Sequence, residues 1–352
     1  MRLERLEVTN VRCVERAVLE PGAGLNVLAG ANGAGKTALL EAIHVLGSGR
    51  SFRSGGLREL TRWGADALVV NGRVRGRAGA CVIGVERGVG RAAISVGRQP
   101  VRSAAALARA VPQVVLDVGS SELIEGGPKG RRRWLDTTLF HVEPGYLELW
   151  LGYHRALRQR NAALMTEGPS GGTAFDGLLV RQAEALNAQR QRIFVALRDW
   201  VQGQSMALLG DSLKLSYRQG WAEDRSFSVE LQSRLDEDRR VGGTLVGPHR
   251  ADVALRVGER GLRHHASRGQ GKLASCLLLL AQAACIEEAI GESPLMLVDD
   301  IAAELDGAAR QRILQFLNES GAQVFLTTTD VGLIPAASTA RKFHVEHGQL
   351  VD

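Results

Sequence analysis

The stretch Gly30-Ala-Asn-Gly-Ala-Gly-Lys36-Thr37 constrains this chain more than any other eight residues. It is a complete GxxxxGK[ST] pattern. Before it runs Leu25-Asn-Val-Leu-Ala29, a short apolar segment of the kind that makes a buried strand. After it, from Lys36 to about Leu46, the spacing of Leu39, Leu40, Ile43 and Leu46 predicts a helix with one apolar face. In that setting the glycines let backbone N–H groups close around a phosphate, and the helix N-terminus adds its positive end. Gly30, Ala31, Asn32, Gly33, Ala34, Gly35, Lys36 and Thr37 are therefore expected to bind nucleotide. Lys36 would bridge the β- and γ-phosphates and Thr37 would hold Mg²⁺, which makes ATP and Mg²⁺ the expected cofactors.

The rest of the chain is organised around that loop. Arg2–Val8 alternates as a strand, and residues 67–98 read as antiparallel strands (Ala67–Val74, Cys81–Glu86, Ala92–Val96) joined by glycine-rich turns. From Pro112 the texture becomes helical. Tyr146 to Met165 has helical spacing and ends in the turn-forming Glu-Gly-Pro-Ser-Gly-Gly. A longer helix from about Ala174 to Leu209 repeats Leu179, Leu186, Ile193 and Trp200 every seven residues. Two such helices around a tight loop predict an antiparallel hairpin arm. After Val241, helix and strand alternate: helix 272–290, strand 295–299, helix 307–319, strands 323–328 and 342–346. The expectation is an α/β head built from residues 1–111 and 241–352, interrupted by a mainly helical insert at 112–240.

Two further motifs carry chemistry. Pro294-Leu-Met-Leu-Val-Asp299-Asp300 is an apolar strand ending in acids, as a Walker B strand does. Asp299 would position Mg²⁺ through water, and Asp300 could orient the attacking water. Ser267-Arg-Gly269-Gln270 is a polar turn opening a helix, 32 residues before Asp299. Charge is distributed unevenly. The net +6 conceals a segment, residues 48–110, with twelve arginines against Glu59, Asp66 and Glu86, a surplus of nine. Such a lobe attracts phosphate backbones, and Arg73, Arg75 and Arg77 are its candidate DNA contacts. Lys129 and Arg131–Arg133 form a second basic group, either for DNA or as a buttress. Four isolated cysteines show no metal or disulfide spacing. The longest apolar stretch, Leu273 to Ile290, is broken by Ser275, Gln282, Glu287 and Glu288, and the charged N-terminal alternation is unlike a signal peptide. A soluble cytoplasmic protein without a membrane partner is expected.

The Ser-x-Gly-Gln turn resembles the signature of ABC-type ATPases, which contacts the γ-phosphate bound by the opposite subunit. Glu304-Leu305-Asp306 resembles their D-loop, and Thr329 stands where their switch histidine usually does. The 230 residues between Lys36 and Ser267 fit the SMC/Rad50-like branch with its long insert. Within that branch the chain resembles the RecF DNA replication and repair family over nearly its whole length. The resemblance rests on Gly49-Arg-Ser-Phe-Arg53, Gly126-Gly-Pro-Lys-Gly-Arg-Arg-Arg-Trp-Leu-Asp136, Leu157-Arg-Gln-Arg-Asn161 and Gly247-Pro-His-Arg250, together with the motifs above. The family's usual Phe-Arg-Asn is Val11-Arg12-Cys13 here, and a usual proline is replaced by Val118-Gly119. The resemblance implies an ATP-dependent homodimer, with each nucleotide held between one P-loop and the partner's Ser267, Gly269 and Gln270. It also implies binding to double-stranded DNA near gapped junctions, cooperation with RecR and RecO, loading of RecA, and slow hydrolysis that releases the dimer. Two other functions fit the P-loop: a DNA-end clamp with negligible hydrolysis, and a transporter's nucleotide-binding subunit.

Overall fold

The computed structural model describes residues 1–53, 56–166, 173–300, 305–334 and 340–351. Its chain divides into two compact units, residues 1–121, 207–209 and 268–352 in the first, and 122–206 and 210–267 in the second.

The first unit contains two six-stranded sheets. One is antiparallel, in the order β2-β1-β4-β5-β6-β7: β1 (Arg2–Val11), β2 (Val14–Leu19), β4 (Ala67–Gly76), β5 (Gly79–Gly88), β6 (Arg91–Val96) and β7 (Gln99–Pro100). Alternate residues of β4 are buried, as expected where one sheet face meets a core and the other meets solvent. The second sheet runs β15-β14-β3-β13-β12-β8. Its strands are β3 (Leu25–Ala29), β8 (Gln113–Leu116), β12 (Leu295–Val298), β13 (Val324–Thr328), β14 (Arg341–Glu346) and β15 (Gln349–Val351). All of these are parallel except β15. The strands β3, β12 and β13 are buried throughout, so their sequences are largely apolar without alternation, and their polar residues Asn26, Thr327 and Thr328 are hydrogen-bonded internally. Helix α1 (Lys36–Ser48) packs between the sheets, touching β1 and β4 on one side and β13 on the other. Leu3, Leu6, Leu39, Ile43, Leu297 and Phe325 share its core. Around these lie α2 (Ala104–Ala110), α10 (Arg268–Ile290) and α11 (Gly307–Glu319). By length and composition α10 could cross a membrane, yet 61% of its apolar window is buried within the fold, where it packs on β8.

The second unit holds α3 (Glu122–Glu125), α4 (Pro128–Val142), α5 (Tyr146–Thr166), most of α6 (Asp176–Leu209), α7 (Phe227–Ser233), α8 (Leu235–Val241) and α9 (Leu262–His265). At 34 residues, α6 is about 50 Å long. It runs antiparallel to α5: Arg160 of α5 pairs with Asp176 at the start of α6, while Gly152, earlier in α5, faces Gln182 further along α6. The turn expected at residues 167–172 lies outside the described residues. The seven-residue stripe is buried at Leu179, Leu186 and Ile193, but by Trp200 burial has passed to Leu197 and Val201. A straight helix of 3.6 residues per turn drifts off a period of seven in this way.

The two expected boundaries differ from those of the units. The boundaries move from 111 to 121 and from 241 to 267. Residues 113–116 form β8, which lies parallel to β12 in the head sheet. Residues after 241 supply β10 (Asp252–Val257) and β11 (Arg260–Gly261), which join β9 (Leu213–Arg218) in a three-stranded antiparallel sheet of the insert. The insert is mainly helical, as expected, and carries this small sheet besides.

Its polar motifs are internal. Arg131 is buried and forked onto Asp252 at 2.7 and 3.1 Å, and Arg132 donates to the Ala251 carbonyl at 2.8 Å. These two are a buttress, and only Lys129 and Arg133 of that group are exposed. Asp136 accepts from buried Arg190, from the Tyr146 hydroxyl and from Trp150 Nε1. His249 Nδ1 lies 2.7 Å from the Tyr153 hydroxyl and its Nε2 lies 2.9 Å from the Thr244 carbonyl, contacts that the neutral ring satisfies with Nε2 as donor and Nδ1 as acceptor. Burial lowers its pKa from 6.5 to about 4. The unfolded chain therefore takes up a proton first as pH falls. Stability is full above pH 6.5 and should decline towards pH 4 by up to about 1.4 kcal/mol per pH unit. Urea denaturation at pH 7.5 and 5.0 measures this, and His249→Gln should flatten the difference.

Candidate nucleotide-binding site

Where β3 ends, β14 passes so close that a Cβ on Gly30 would lie 2.2 Å from the Val345 carbonyl oxygen. No other residue fits that position. Gly35 has φ 112°, a conformation favouring glycine, and turns the chain into α1. The loop is tied back by the Gly348 N–H, which donates to the Ala34 carbonyl at 2.8 Å. Lys36 is buried, and its Nζ donates to the carbonyls of Gly30 and Ala31 at 2.8 and 2.9 Å. Desolvation lowers its pKa, and the nearby charges of Asp300 and Asp299 work against that shift.

The parallel register brings Asp299, at the end of β12, beside the first turn of α1. Its Oδ1 accepts from the hydroxyls of Thr37 at 2.9 Å and Thr327 at 2.8 Å, and its Oδ2 accepts from Arg53 Nη2 at 2.9 Å. Asp300 has φ 52°, and its N–H donates to Thr327 Oγ1 at 2.8 Å. Left-handed backbone at a non-glycine residue just after a strand is an uncommon device for redirecting a side chain. Asp300 lines a cleft of about 280 Å³ together with Lys36, Thr37, Arg12, Cys13 and Arg53. The cleft is therefore lined by phosphate-loop residues, two arginines and the Asp300 carboxylate.

The model of the RecF/RecN/SMC N-terminal domain matches residues 2–350 of this chain. A DNA replication and repair protein RecF of Nitrosococcus oceani is 36% identical over 358 residues, covering 99% of both chains. One from Stutzerimonas stutzeri is 39% identical over 363 residues, covering 99% of this chain and 97% of its own. This chain belongs to the RecF family. Among solved structures, the recombination mediator protein RecF-ATP of the RecFOR pathway superposes with a TM-score of 0.87 at 27% identity, over 99% of this chain and 98% of that one. An Smc head bound to the C-winged helix domain of ScpA superposes with a TM-score of 0.60 at 17% identity, a likeness of fold alone.

In this RecF-family chain Lys36, Thr37, Asp299 and Asp300 come together in one cleft or at its edge. The signature residues Ser267, Gly269 and Gln270 stand at the start of α10, with Ser267 and Gln270 exposed, and are not among the residues lining that cleft. Thr329 is exposed beyond β13. Glu304 lies outside the described residues, and Asp306 caps α11 by accepting from the Ala309 N–H at 2.8 Å. Arg73, Arg75 and Arg77 are all exposed at or beyond the end of β4, although Arg75 is paired with Glu4 and the Arg77 N–H donates to Glu292.

Four residues at the RecF-family cleft had no role assigned from sequence. Arg12 pairs with Glu41, buried in α1, and Ser51 Oγ donates to the same carboxylate at 2.5 Å. Arg53 and Thr327 hold Asp299. Asp117 follows β8, next to Asp299, whose N–H donates to the Leu116 carbonyl at 2.8 Å. Burial raises the Asp117 pKa, the Ser120 hydrogen bond works against it, and the charge of Asp299 adds to the rise. The signal for Asp117 was present: Val-Val-Leu-Asp117 repeats the apolar-run-then-acid form of Leu-Val-Asp299.

Proposed function

We propose that this chain is an ATP-dependent DNA-binding protein of recombinational repair and replication-gap processing. ATP closes a homodimer on double-stranded DNA near a single-strand gap, and slow hydrolysis releases it. The observation that carries this reading is the convergence of Lys36, Thr37 and Asp299, with Thr37 Oγ1 and Asp299 Oδ1 2.9 Å apart beside the phosphate loop. Two hard oxygen donors so placed suit Mg²⁺, which when bound would neutralise phosphate charge. Lys36 exchanges its carbonyl partners for the β- and γ-phosphates, and Asp300 orients the attacking water. Asp300 is one methylene shorter than glutamate, which fits slow turnover and a timing role.

The exposure of Gln270 in the first turn of α10 supports action on the partner subunit's nucleotide. Arg73, Arg75 and Arg77 supply phosphate contacts from an exposed strand end. The solved relative is named a mediator of the RecFOR pathway, which supports RecR and RecO as partners; in this reading the outcome is RecA loading, in the cytoplasm.

The test measures gapped-duplex binding and hydrolysis with ATP, with ADP and without nucleotide. Binding should require ATP. Asp300→Asn should lower hydrolysis at least about 10-fold while retaining DNA binding. Equal hydrolysis by the two proteins would instead favour a clamp that binds ATP without turning it over.

A further inference from the structure

Among the described residues Asp299 has three side-chain hydrogen-bond partners, and they differ in kind. Thr37 and Thr327 bring neutral hydroxyls to Oδ1, whereas Arg53 brings a positive charge to Oδ2 at 2.9 Å. The Asp299 side chain is 1% exposed and that of Arg53 is 51% exposed. A guanidinium thus reaches in from the surface to a carboxylate that has almost no water of its own. A buried carboxylate left without a nearby cation is costly, so some positive charge must stand there at every stage.

We propose that Arg53 is the counter-ion of Asp299 until Mg²⁺ arrives, and that entry of the metal displaces it. This rests on the reading of Asp299 and Thr37 as the metal-holding pair. A guanidinium and a divalent ion cannot share one carboxylate without mutual repulsion, and Arg53 is the one that can leave. Its side chain is already half in water, so solvent can take the place of the carboxylate for the guanidinium once the metal neutralises Asp299. Its backbone can stay in place: the Arg53 N–H donates to Ser51 Oγ at 3.0 Å, and Ser51 is tied to buried Glu41. Arg53 also lines the nucleotide cleft, so the displaced guanidinium remains beside the place where phosphate charge arrives. Metal binding therefore works against an internal competitor and is favoured when nucleotide and metal enter together.

The experiment titrates MgCl₂ into the full chain with the fluorescent analogue mant-ATP, reading binding by anisotropy, for wild type, Arg53→Gln and Asp299→Asn. The Mg²⁺ concentration at half-maximal binding should fall about five-fold in Arg53→Gln. The affinity at saturating Mg²⁺, read in the same titration, separates any lost phosphate contact from this shift. An unchanged or higher midpoint in Arg53→Gln, with a raised one in Asp299→Asn, overturns the proposal and leaves the metal site standing. A midpoint shared by wild type and Asp299→Asn overturns the metal reading itself, and the competitor with it.

Discussion

Lys36→Arg is expected to abolish ATP-dependent dimerisation although it keeps the positive charge. The lysine threads a buried slot and places one compact ammonium on the carbonyls of Gly30 and Ala31. Arginine's planar fork is wider and cannot make the same two contacts from the same stem. The slot is also rigid, because Gly30 admits no Cβ and the loop is tied to Gly348. ATP affinity should fall about 100-fold, the scale of losing one partner of a desolvated charge contact. Overall stability should change little, since desolvation already lowers the Lys36 pKa and the resting contacts are neutral carbonyls. Light scattering with and without ATP, beside a thermal melt, distinguishes these effects. A variant that still dimerises on addition of ATP would sink the two-subunit nucleotide sandwich.

Arg160→Ala should be the most damaging single change in the insert, at about 3–5 kcal/mol. Arg160 is completely buried and donates to Asp176 at 2.7 Å, Asp238 at 2.7 Å and Thr244 Oγ1 at 2.8 Å. Asp238 is equally buried, so truncating the arginine leaves a carboxylate with no cation and no water. The double change Arg160→Met with Asp238→Asn should recover more than half of that loss. Asparagine keeps the oxygen that accepts from the Leu245 N–H, and neither new side chain is charged. Urea denaturation followed by circular dichroism tests both, with the alanine variant expected to show an early transition. A loss below about 1 kcal/mol in Arg160→Ala would mean that water or a neighbour replaces the guanidinium.

These arginines also mark what the sequence could not disclose. Arg131, Arg160 and Arg190 look like surface charge in a chain so rich in arginine, because an isolated arginine is almost never buried. Pairing with Asp252, Asp238 and Asp136 reverses that expectation, and the partners lie 121, 78 and 54 residues away. The P-loop was legible for the opposite reason: strand, loop and helix are contiguous, and their chemistry depends on local spacing. Helix Gly307–Glu319 and the strands β1, β4, β5 and β6 of the antiparallel sheet were legible on the same ground, through period and turn residues. Pairing between distant strands was not. Nothing in Val-Val-Leu116 says that it will lie against Leu-Val298, so neither the head boundary nor Asp117 could be placed. Arg53 stood inside a recognised motif, yet its target is 246 residues ahead.

The central strand β3 has β13 and β14 as its two neighbours, and both come from the last tenth of the sequence. On the ribosome, residues 2–100 can close the antiparallel sheet as soon as they emerge. The strand that carries the phosphate loop must wait with both edges bare until residues 324–346 have been made. A chain stopped between residue 37 and that point holds every P-loop residue and still has a bare strand behind it. Ligand capture in this protein is thus also a report that the strands at 324–328 and 341–346 have joined the sheet, and the waiting strand is where a nascent chain most needs a chaperone.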